Sequence, residues 1–256
     1  KDWWNKLLIN GMGEYFYKNG VDFTKSGFIR WETESPHVFH PDRITMQESF
    51  LVLTSGGKDS LLTRRILQEQ QKPVILFHEE TLIGKGIIPP PKEDIIVAYR
   101  KLDPEMTELN KQGYLNGHVP YSAYLGFLSL LISALTKSRY IVVANEKSAD
   151  ETNVKYLGQA INHQYSKTFR FESDFRDYVD KFLTQDVSYF SLLRPLYEIQ
   201  IAKLFSQNPE DVTKFTSCNH YKSSGRWCGE CPKCLSLYLL LAPFTEVTSM
   251  IQIFGA

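Results

Sequence analysis

Four nearly continuous apolar runs predict the strands of a buried sheet. They lie at residues 50–54, 74–77, 95–99 and 140–144. A strand that is apolar on both faces is typical of a parallel sheet covered by helices on both sides. Each run is short enough for a strand and too short for a helix of average length.

Segments with helical spacing alternate with these runs. They are predicted at residues 61–70, 102–113, 123–136, 169–182, 195–206 and 235–242. The segment 123–136 is apolar almost all round, which predicts a buried helix. Strands that alternate with helices form βαβ units, so the pattern predicts an α/β fold with a parallel twisted sheet and helices on both faces.

Three regions depart from this alternation. Residues 1–48 are rich in aromatic side chains, with helical spacing at 3–17 that Gly11 and Gly13 interrupt, and we expect them to pack on the core or to form a lid. Residues 156–167 are predicted to be polar and irregular. Four cysteines occur, all after residue 217. The predicted parts are therefore an N-terminal segment 1–48, a sheet domain 49–207 and a C-terminal cysteine subdomain 208–256.

Charge and hydropathy narrow the class of protein. The 29 basic and 29 acidic side chains cancel, which argues against a broad nucleic-acid footprint. The longest apolar stretch, residues 235–244, is too short to cross a bilayer, and no signal peptide is visible. We expect a cytoplasmic protein that acts on a small molecule, without a nucleic-acid or membrane partner. The chain starts at Lys1 rather than Met, which is compatible with a preceding domain.

The run at 50–54 ends in a glycine loop directly before a helical segment. The loop is Ser55-Gly56-Gly57-Lys58-Asp59-Ser60. Glycines let the backbone approach a ligand closely, and the free N–H groups of a helix N-terminus favour an anion, most often phosphate. Lys58 adds a positive charge and Asp59 a carboxylate that suits Mg²⁺. The adjacent glycines exclude the Walker loop, whose two glycines are separated by four residues.

A carboxylate after the fourth run is predicted to join this loop. Glu146 follows the run 140–144, and the carboxyl ends of parallel strands meet at one edge of a sheet. We therefore expect Asp59 and Glu146 to hold Mg²⁺, with Asp150 and Glu151 as further candidates.

Basic and polar side chains further along the chain are candidates for ligand contacts. Arg194 precedes a helix predicted to begin at Pro195, and Lys203 lies within it; both can face pyrophosphate, or serve as surface and helix-end charges. Residues 161–167, Ile-Asn-His-Gln-Tyr-Ser-Lys, form a polar row that can bind a polar substrate or satisfy its own loop. Lys167 in this row can contact a carboxylate or a phosphate.

The cysteines have the spacing of a metal site. Cys218, Cys228, Cys231 and Cys234 form the pattern Cys-x9-Cys-x2-Cys-x2-Cys. Four thiolates in a Gly- and Pro-containing turn suit a structural tetrahedral zinc with no open coordination position. An iron–sulfur cluster, a redox pair and disulfides remain as alternatives.

The glycine loop resembles the Ser-Gly-Gly-x-Asp-Ser loop of the PP-loop ATP pyrophosphatases, which split ATP into AMP and pyrophosphate while they adenylate a substrate. The resemblance implies a Rossmann-like fold of the adenine nucleotide hydrolase type, with Lys58 and Asp59 in catalysis. It implies ATP contacts from Ser55, Gly56, Gly57, Asp59, Ser60, Glu146, Arg194 and Lys203.

Two branches of these enzymes are similar to this chain. The cysteine pattern and the loop 116–122 resemble 7-cyano-7-deazaguanine synthase, although Tyr121-Ser122 stand where the synthase has Arg-Asn. A closer likeness is to the ATP-dependent epimerases of UDP-N-acetylmuramoyl-L-alanyl-L-glutamate. It rests on residues 116–120, 161–167, 189–196, 215–219, 227–234 and 241–244.

The epimerase resemblance implies a reaction in two stages. ATP adenylates the α-carboxylate of the terminal glutamate and releases pyrophosphate; the α-proton then becomes removable, returns on the other face, and hydrolysis gives the D-glutamate product with AMP. A base near the α-carbon is required. His163 is the first candidate because imidazole titrates near neutral pH, with Tyr165 and Lys167 as rivals.

Two other classes of function stay open at this stage. The chain could be another adenylating enzyme, such as an amide or nitrile former or a tRNA modifier. No cysteine lies outside the cluster, which disfavours sulfur transfer through a persulfide in the chain. A zinc-stabilised nucleotide sensor without catalysis is the third class, and the intact loop with Asp59 argues against it.

Overall fold

The computed structural model describes residues 1–32, 37, 39–83, 94–220 and 226–255. Its centre is a five-stranded parallel sheet, in the order β3-β2-β1-β4-β7. The strands are β1 Gln47–Leu53, β2 Val74–Ile83, β3 Ile95–Leu102, β4 Ser138–Val143, β5 Val154–Tyr156, β6 Gln159–Ile161 and β7 Ser188–Ser191. The α/β fold and its first four strands are confirmed.

Three features of the strands differ from the sequence prediction. The edge strand β7, which pairs with β4, was not predicted. Residues 156–167 are not wholly irregular, because β5 and β6 form a short antiparallel hairpin around Gly158, whose φ is +77°. β2 continues for six residues past its apolar run and pairs there with β3. Polar side chains hold this extension, since Arg100 Nε donates to Glu79 Oε1 across the two strands at 3.0 Å.

The helices alternate with the sheet strands. They are α1 Asp2–Gly11, α2 Gly13–Lys18, α3 Lys58–Glu69, α4 Pro104–Lys111, α5 Tyr121–Thr136, α6 Phe169–Phe182, α7 Glu198–Phe205, α8 Pro209–Lys214, α9 Pro232–Leu241 and α10 Val247–Phe254. Side chains cap several N-termini, as where Thr168 Oγ1 accepts from the N–H of Phe171 at the start of α6. No helix among the described residues is long and apolar enough to cross a membrane.

Helix α7 begins later than the sequence suggested. Residues 192–195 form turns, and Tyr197 is extended with φ −81° and ψ 157°. Pro195 is therefore part of the turn and not the first residue of the helix. As a result Arg194 belongs to the carboxyl edge of β7 rather than to a helix N-terminus.

Helices cover both faces of the sheet. On one face, α1, α5 and α6 pack on Leu51, Phe77 and Ile141. The aromatic N-terminal segment joins this layer: Trp3 Nε1 donates to the carbonyl oxygen of Asp174 at 2.7 Å, and Trp4 stacks on Phe127. Residues 1–11 thus pack on the core.

The opposite face is covered by α3, whose Leu67 packs with Val52, Leu76 and Val142 of the sheet. A second apolar cluster joins Leu62 of α3 to buried residues of α7, α8, α9 and α10. The cysteine-bearing segment therefore shares a core with the sheet domain, while the boundary at 207/208 stays a prediction.

Phe175 of α6 lies in the helix layer formed by α1, α5 and α6, and substituting it tests how this layer packs on the sheet. Its side chain is 0% exposed, whereas Phe169 on the same helix is 50% exposed. We expect Phe175→Ala to lower the free energy of unfolding by about 3–5 kcal/mol, because it leaves a cavity in the core. The matched change Phe169→Ala should cost less than about 0.5 kcal/mol. Urea unfolding measures both, and equal losses would contradict the layer as described.

Candidate active site

A pocket of about 570 Å³ opens at the carboxyl ends of the central strands. Register places it there, since Leu53 of β1 pairs with Phe77 of β2, and Val52 pairs with Val142 of β4. From β1 the chain adds β2 and β3 on one side of the sheet, and then β4 and β7 on the other side. Open parallel sheets bind ligands at such a switch point in strand order. Several segments line the pocket, with residues 53–55, 57, 59, 60, 77–79, 121, 122, 125, 143–145, 167, 189, 217–219 and 233.

The glycine loop forms the floor of this pocket. Gly56 has a φ of +77°, a conformation that side chains with a Cβ rarely adopt, and Gly57 is the extended N-cap residue of α3. Ser60 Oγ donates to the carbonyl oxygen of Gly57 at 3.0 Å and accepts weakly from the N–H of Ser55 at 3.4 Å. The loop thus presents a helix N-terminus that could hold an anion.

The segment before the first cysteine packs directly on this loop. The N–H of Thr216 donates to the carbonyl oxygen of Gly56 at 3.2 Å. A Cβ on Gly57 would lie 3.0 Å from Ser217 Oγ, so this position has room only for glycine unless the serine moves.

Lys58 is held beside the loop by two carboxylates. Its side chain is 3% exposed, and its Nζ lies 2.6 Å from Asp59 Oδ1 and 3.2 Å from Glu198 Oε1. Burial by itself would lower the pKa of Lys58, but the charges of Asp59 and Glu198 outweigh it and raise this pKa above its usual value. Asp59 lines the pocket, whereas Lys58 does not.

Glu146 lies in the same acidic region. Burial raises the pKa of its carboxyl above the usual value, and the negative charges of Asp59 and Glu198 raise it further. Among the described residues, the cysteines are the one group of three or more potential ligands close enough to share an ion. A magnesium ion at Asp59 and Glu146 would therefore draw its other ligands from phosphate and water.

Arg194 is partly buried, with its side chain 13% exposed, and is bound to protein groups. It donates to the carbonyl oxygens of Glu146 at 2.9 Å and Lys167 at 2.7 Å, and to Glu172 Oε2 at 3.0 Å and Ser191 Oγ at 3.2 Å. It does not line the pocket. Lys203 lies on the exposed face of α7 and does not line the pocket either, so their predicted pyrophosphate contacts stay predictions.

The polar row 161–167 divides into several environments. Lys167 lines the pocket, whereas His163 does not; its Nδ1 lies against Asn153 Oδ1 and its ring lies 6.1 Å from that of His118. Tyr165 is buried against Phe171, and burial raises the pKa of its phenol. The row thus brings the ammonium group of Lys167 to the pocket, while the imidazole of His163 contacts residues outside the lining.

The other acidic candidates take different places. Asp150 Oδ1 accepts from the N–H of Phe169 at 2.7 Å, which supports the start of α6. Glu151 is exposed. Neither residue lines the pocket.

One polar cluster in the pocket was not identified from the sequence. The Tyr121 hydroxyl donates to Glu79, whose side chain is 3% exposed and also accepts from Arg100. Burial, and then the Glu79 carboxylate, raise the pKa of Tyr121 well above its usual value. The sequence signal that could have indicated this cluster is the run of charged residues from His78 onward, which directly follows the apolar strand 74–77.

The four cysteines converge as the sequence predicts. Their sulfur atoms all lie within 4.8 Å of one another, and Cys234 Sγ lies 3.4 Å from Cys231 Sγ and 3.7 Å from Cys228 Sγ. A tetrahedral zinc with Zn–S bonds of 2.3 Å requires sulfurs about 3.8 Å apart. A four-iron cluster spreads its thiolates over different iron atoms and needs wider spacing, so the geometry favours a single ion.

Backbone donors surround these sulfurs. Cys228 Sγ accepts from the N–H of Cys231 at 3.3 Å, and Cys231 Sγ accepts from the N–H of Cys234 at 3.4 Å, which caps α9. The N–H groups of Asn219 and Cys234, together with the thiols of Cys234 and Cys228, lower the pKa of the Cys231 thiol to about 6. A thiol that ionises near neutral pH is a ready metal ligand.

We expect Cys231→Ser to remove bound zinc. The wild-type chain should carry about one zinc ion per chain, and the variant less than half of that, because oxygen replaces a soft sulfur ligand. Elemental analysis by mass spectrometry measures the metal, with Ser236→Ala on the exposed face of α9 as the control. Iron with inorganic sulfide in the wild type would contradict a zinc site.

We expect Glu146→Gln to stabilise the fold at neutral pH. A carboxyl whose pKa is higher in the folded state contributes stability that is present below its unfolded pKa and lost as the pH rises through the folded value. The variant should therefore unfold with a larger free energy than wild type at pH 7, and the difference should vanish below about pH 4.3.

Urea unfolding without magnesium at several pH values measures this difference. Glu151→Gln, at an exposed carboxylate close in sequence, is the control and should show no such trend. A Glu146→Gln effect that stayed constant from pH 4 to pH 8 would be inconsistent with a raised pKa.

Comparison with known families places the chain. The family model described as MurL N-terminal domain matches residues 1–192, and that described as MurL C-terminal domain matches residues 214–256. A UDP-N-acetyl-alpha-D-muramoyl-L-alanyl-L-glutamate epimerase of Xanthomonas oryzae pv. oryzae is 34% identical over 258 residues, which cover 97% of this chain and 56% of that protein. An enzyme of the same name from Salinispora tropica is 32% identical over 263 residues, which cover 97% of this chain and 55% of that protein.

The chain thus spans about half the length of these curated relatives. Its resemblance to the epimerase family, drawn from six short stretches of sequence, is confirmed at the level of the family. The chain belongs to the MurL family.

Proposed function

We propose that this chain catalyses the ATP-dependent epimerisation of the terminal glutamate in UDP-N-acetylmuramoyl-L-alanyl-L-glutamate. The observation that carries the proposal is the shared pocket: the glycine loop at the N-terminus of α3 and the ammonium group of Lys167 face the same cavity. The names of the relatives support the substrate. We also assign the fold to the Rossmann-like adenine nucleotide hydrolases and the loop to the PP-loop enzymes, which the strand order and the loop sequence support.

The first stage activates the glutamate. A carboxylate oxygen attacks the α-phosphorus of ATP, the bond to the bridging oxygen breaks, and pyrophosphate leaves. In this proposal the N–H groups of residues 56–60 bind the phosphates; Asp59 and Glu146 would hold Mg²⁺, which would supply positive charge against the developing negative charge. Lys58 keeps Asp59 in place through its 2.6 Å contact.

The second stage inverts the α-carbon. Adenylation removes the negative charge of the carboxylate, so the acyl group can accept the electrons of the α C–H bond. A base takes the α-proton, a proton returns on the opposite face, and water then attacks the acyl carbon and releases AMP with the D-glutamate product. His163 remains the proposed base, and Lys167 is its rival because it lines the pocket directly.

The same proposal specifies the setting of the protein. Its substrates are ATP and a nucleotide-sugar dipeptide, so we assign it to the cytoplasm and to the synthesis of peptidoglycan precursors. The metal of the cysteine site is proposed to be a structural zinc, since four thiolates leave no open position.

The proposal is tested by following pyrophosphate and deuterium together. With ATP, Mg²⁺ and the muramoyl dipeptide in D₂O, we expect the chain to release pyrophosphate and to incorporate deuterium at the glutamate α-carbon. Asp59→Asn should lose both activities. His163→Ala should release pyrophosphate but exchange deuterium about 10²–10⁴-fold more slowly, because a general base contributes that much.

His40→Ala, at an exposed histidine outside the pocket, serves as the control and should match wild type. Normal exchange in His163→Ala with slow exchange in Lys167→Ala would transfer the role of base to Lys167. No pyrophosphate from the wild-type chain would overturn the proposed function.

A further inference from the structure

The cysteine-bearing segment forms one wall of the pocket. Ser217, Asn219 and Lys233 line the cavity beside the glycine loop. The N–H of Thr216 binds the carbonyl oxygen of Gly56, so this wall and the loop are joined through the backbone. A group on this wall therefore lies close to any ligand that occupies the loop.

Lys233 has an unusual position on this wall. It lies between Cys231 and Cys234, in the first turn of α9, where the positive end of a helix disfavours a positive charge. Its side chain is exposed to the pocket, and it has no ion-pair partner in the part of the chain that the structure describes. Neither helix stability nor an ion pair accounts for this residue.

The charges that line the pocket show what Lys233 can bind. Among the described lining residues, the ammonium groups are those of Lys167 and Lys233. Asp59 is already paired with Lys58, and Glu79 with Arg100. Among the described residues, Lys233 is thus a cation without a carboxylate partner, beside a helix N-terminus that could hold an anion.

We propose that Lys233 binds phosphoryl oxygens of a nucleotide in the pocket, and so helps to select the substrate. The inference rests on the proposed function, in which both substrates carry phosphoanhydrides: the triphosphate of ATP and the diphosphate of the UDP-sugar. The cysteine site then positions a binding residue in addition to holding the fold. A competing role for Lys233 is to offset the negative charge of the thiolates.

Separate binding measurements distinguish these roles. Calorimetry gives the Kd of wild type, Lys233→Ala and Lys233→Arg for α,β-methylene-ATP with Mg²⁺, and for the UDP-muramoyl dipeptide. We expect Lys233→Ala to weaken one of the two by about 10- to 100-fold, the range for losing a charged hydrogen bond, and Lys233→Arg to restore most of it. Lys214→Ala, at an exposed lysine paired with Glu210 on α8, should match wild type, and zinc content should stay constant in all four proteins.

The pattern of losses assigns the ligand. A loss confined to the ATP analogue identifies the triphosphate, and a loss confined to the UDP-sugar identifies the diphosphate. Unchanged Kd values for both in Lys233→Ala, beside normal wild-type binding, would overturn this inference alone. Affinity that fell together with zinc content would assign Lys233 to the metal centre and overturn it as well. A wild-type chain that bound neither nucleotide would instead overturn the proposed function.

Discussion

The pocket depends on the ion pair between the buried Glu172 and the partly buried Arg194. Charges withdrawn from water are tolerated only where further hydrogen bonds satisfy them, and removing one partner costs about 3–5 kcal/mol when both are fully buried. Here Ser191 donates to Glu172, and Arg194 also donates to the carbonyl oxygens of Glu146 and Lys167. One guanidinium therefore fixes the segment after β4, the turn before α6 and the edge of β7. These hydrogen bonds hold the segments that carry pocket-lining side chains such as Lys167, although Arg194 itself does not line the pocket.

Lys58 at the glycine loop is paired with carboxylates before any ligand arrives. Lys58 is enclosed by Asp59 and Glu198, and their mutual attraction outweighs the cost of burying the ammonium group. A phosphate could take Lys58 only by displacing one of these carboxylates. In the proposed function, the binding of anions is left to backbone N–H groups and to Lys167 and Lys233, which have no such partners among the described residues.

The sequence predicted the elements that repeat a simple pattern and missed those held by contacts distant in sequence. Apolar runs identified four strands of the sheet, and residue types and spacing alone identified the cysteine site. The role of Arg194 could not be derived in this way, because it depends on Glu172 from a helix 22 residues earlier. Likewise Glu79 and Tyr121, 42 residues apart, became a site only when β2 and α5 came together.

The metal site and the glycine loop are best understood as one structural unit. The loop has a positive φ at Gly56 and no Cβ at Gly57, so it has little intrinsic rigidity. Its glycines lose more conformational entropy on ordering than other residues do. Thr216 and Ser217 contact it from the cysteine segment, which a bound ion would order through four ligands. An ion at the cysteines would then limit the motion of the loop that is proposed to bind the phosphates. A metal at this site would therefore affect ligand binding as well as the stability of its own segment.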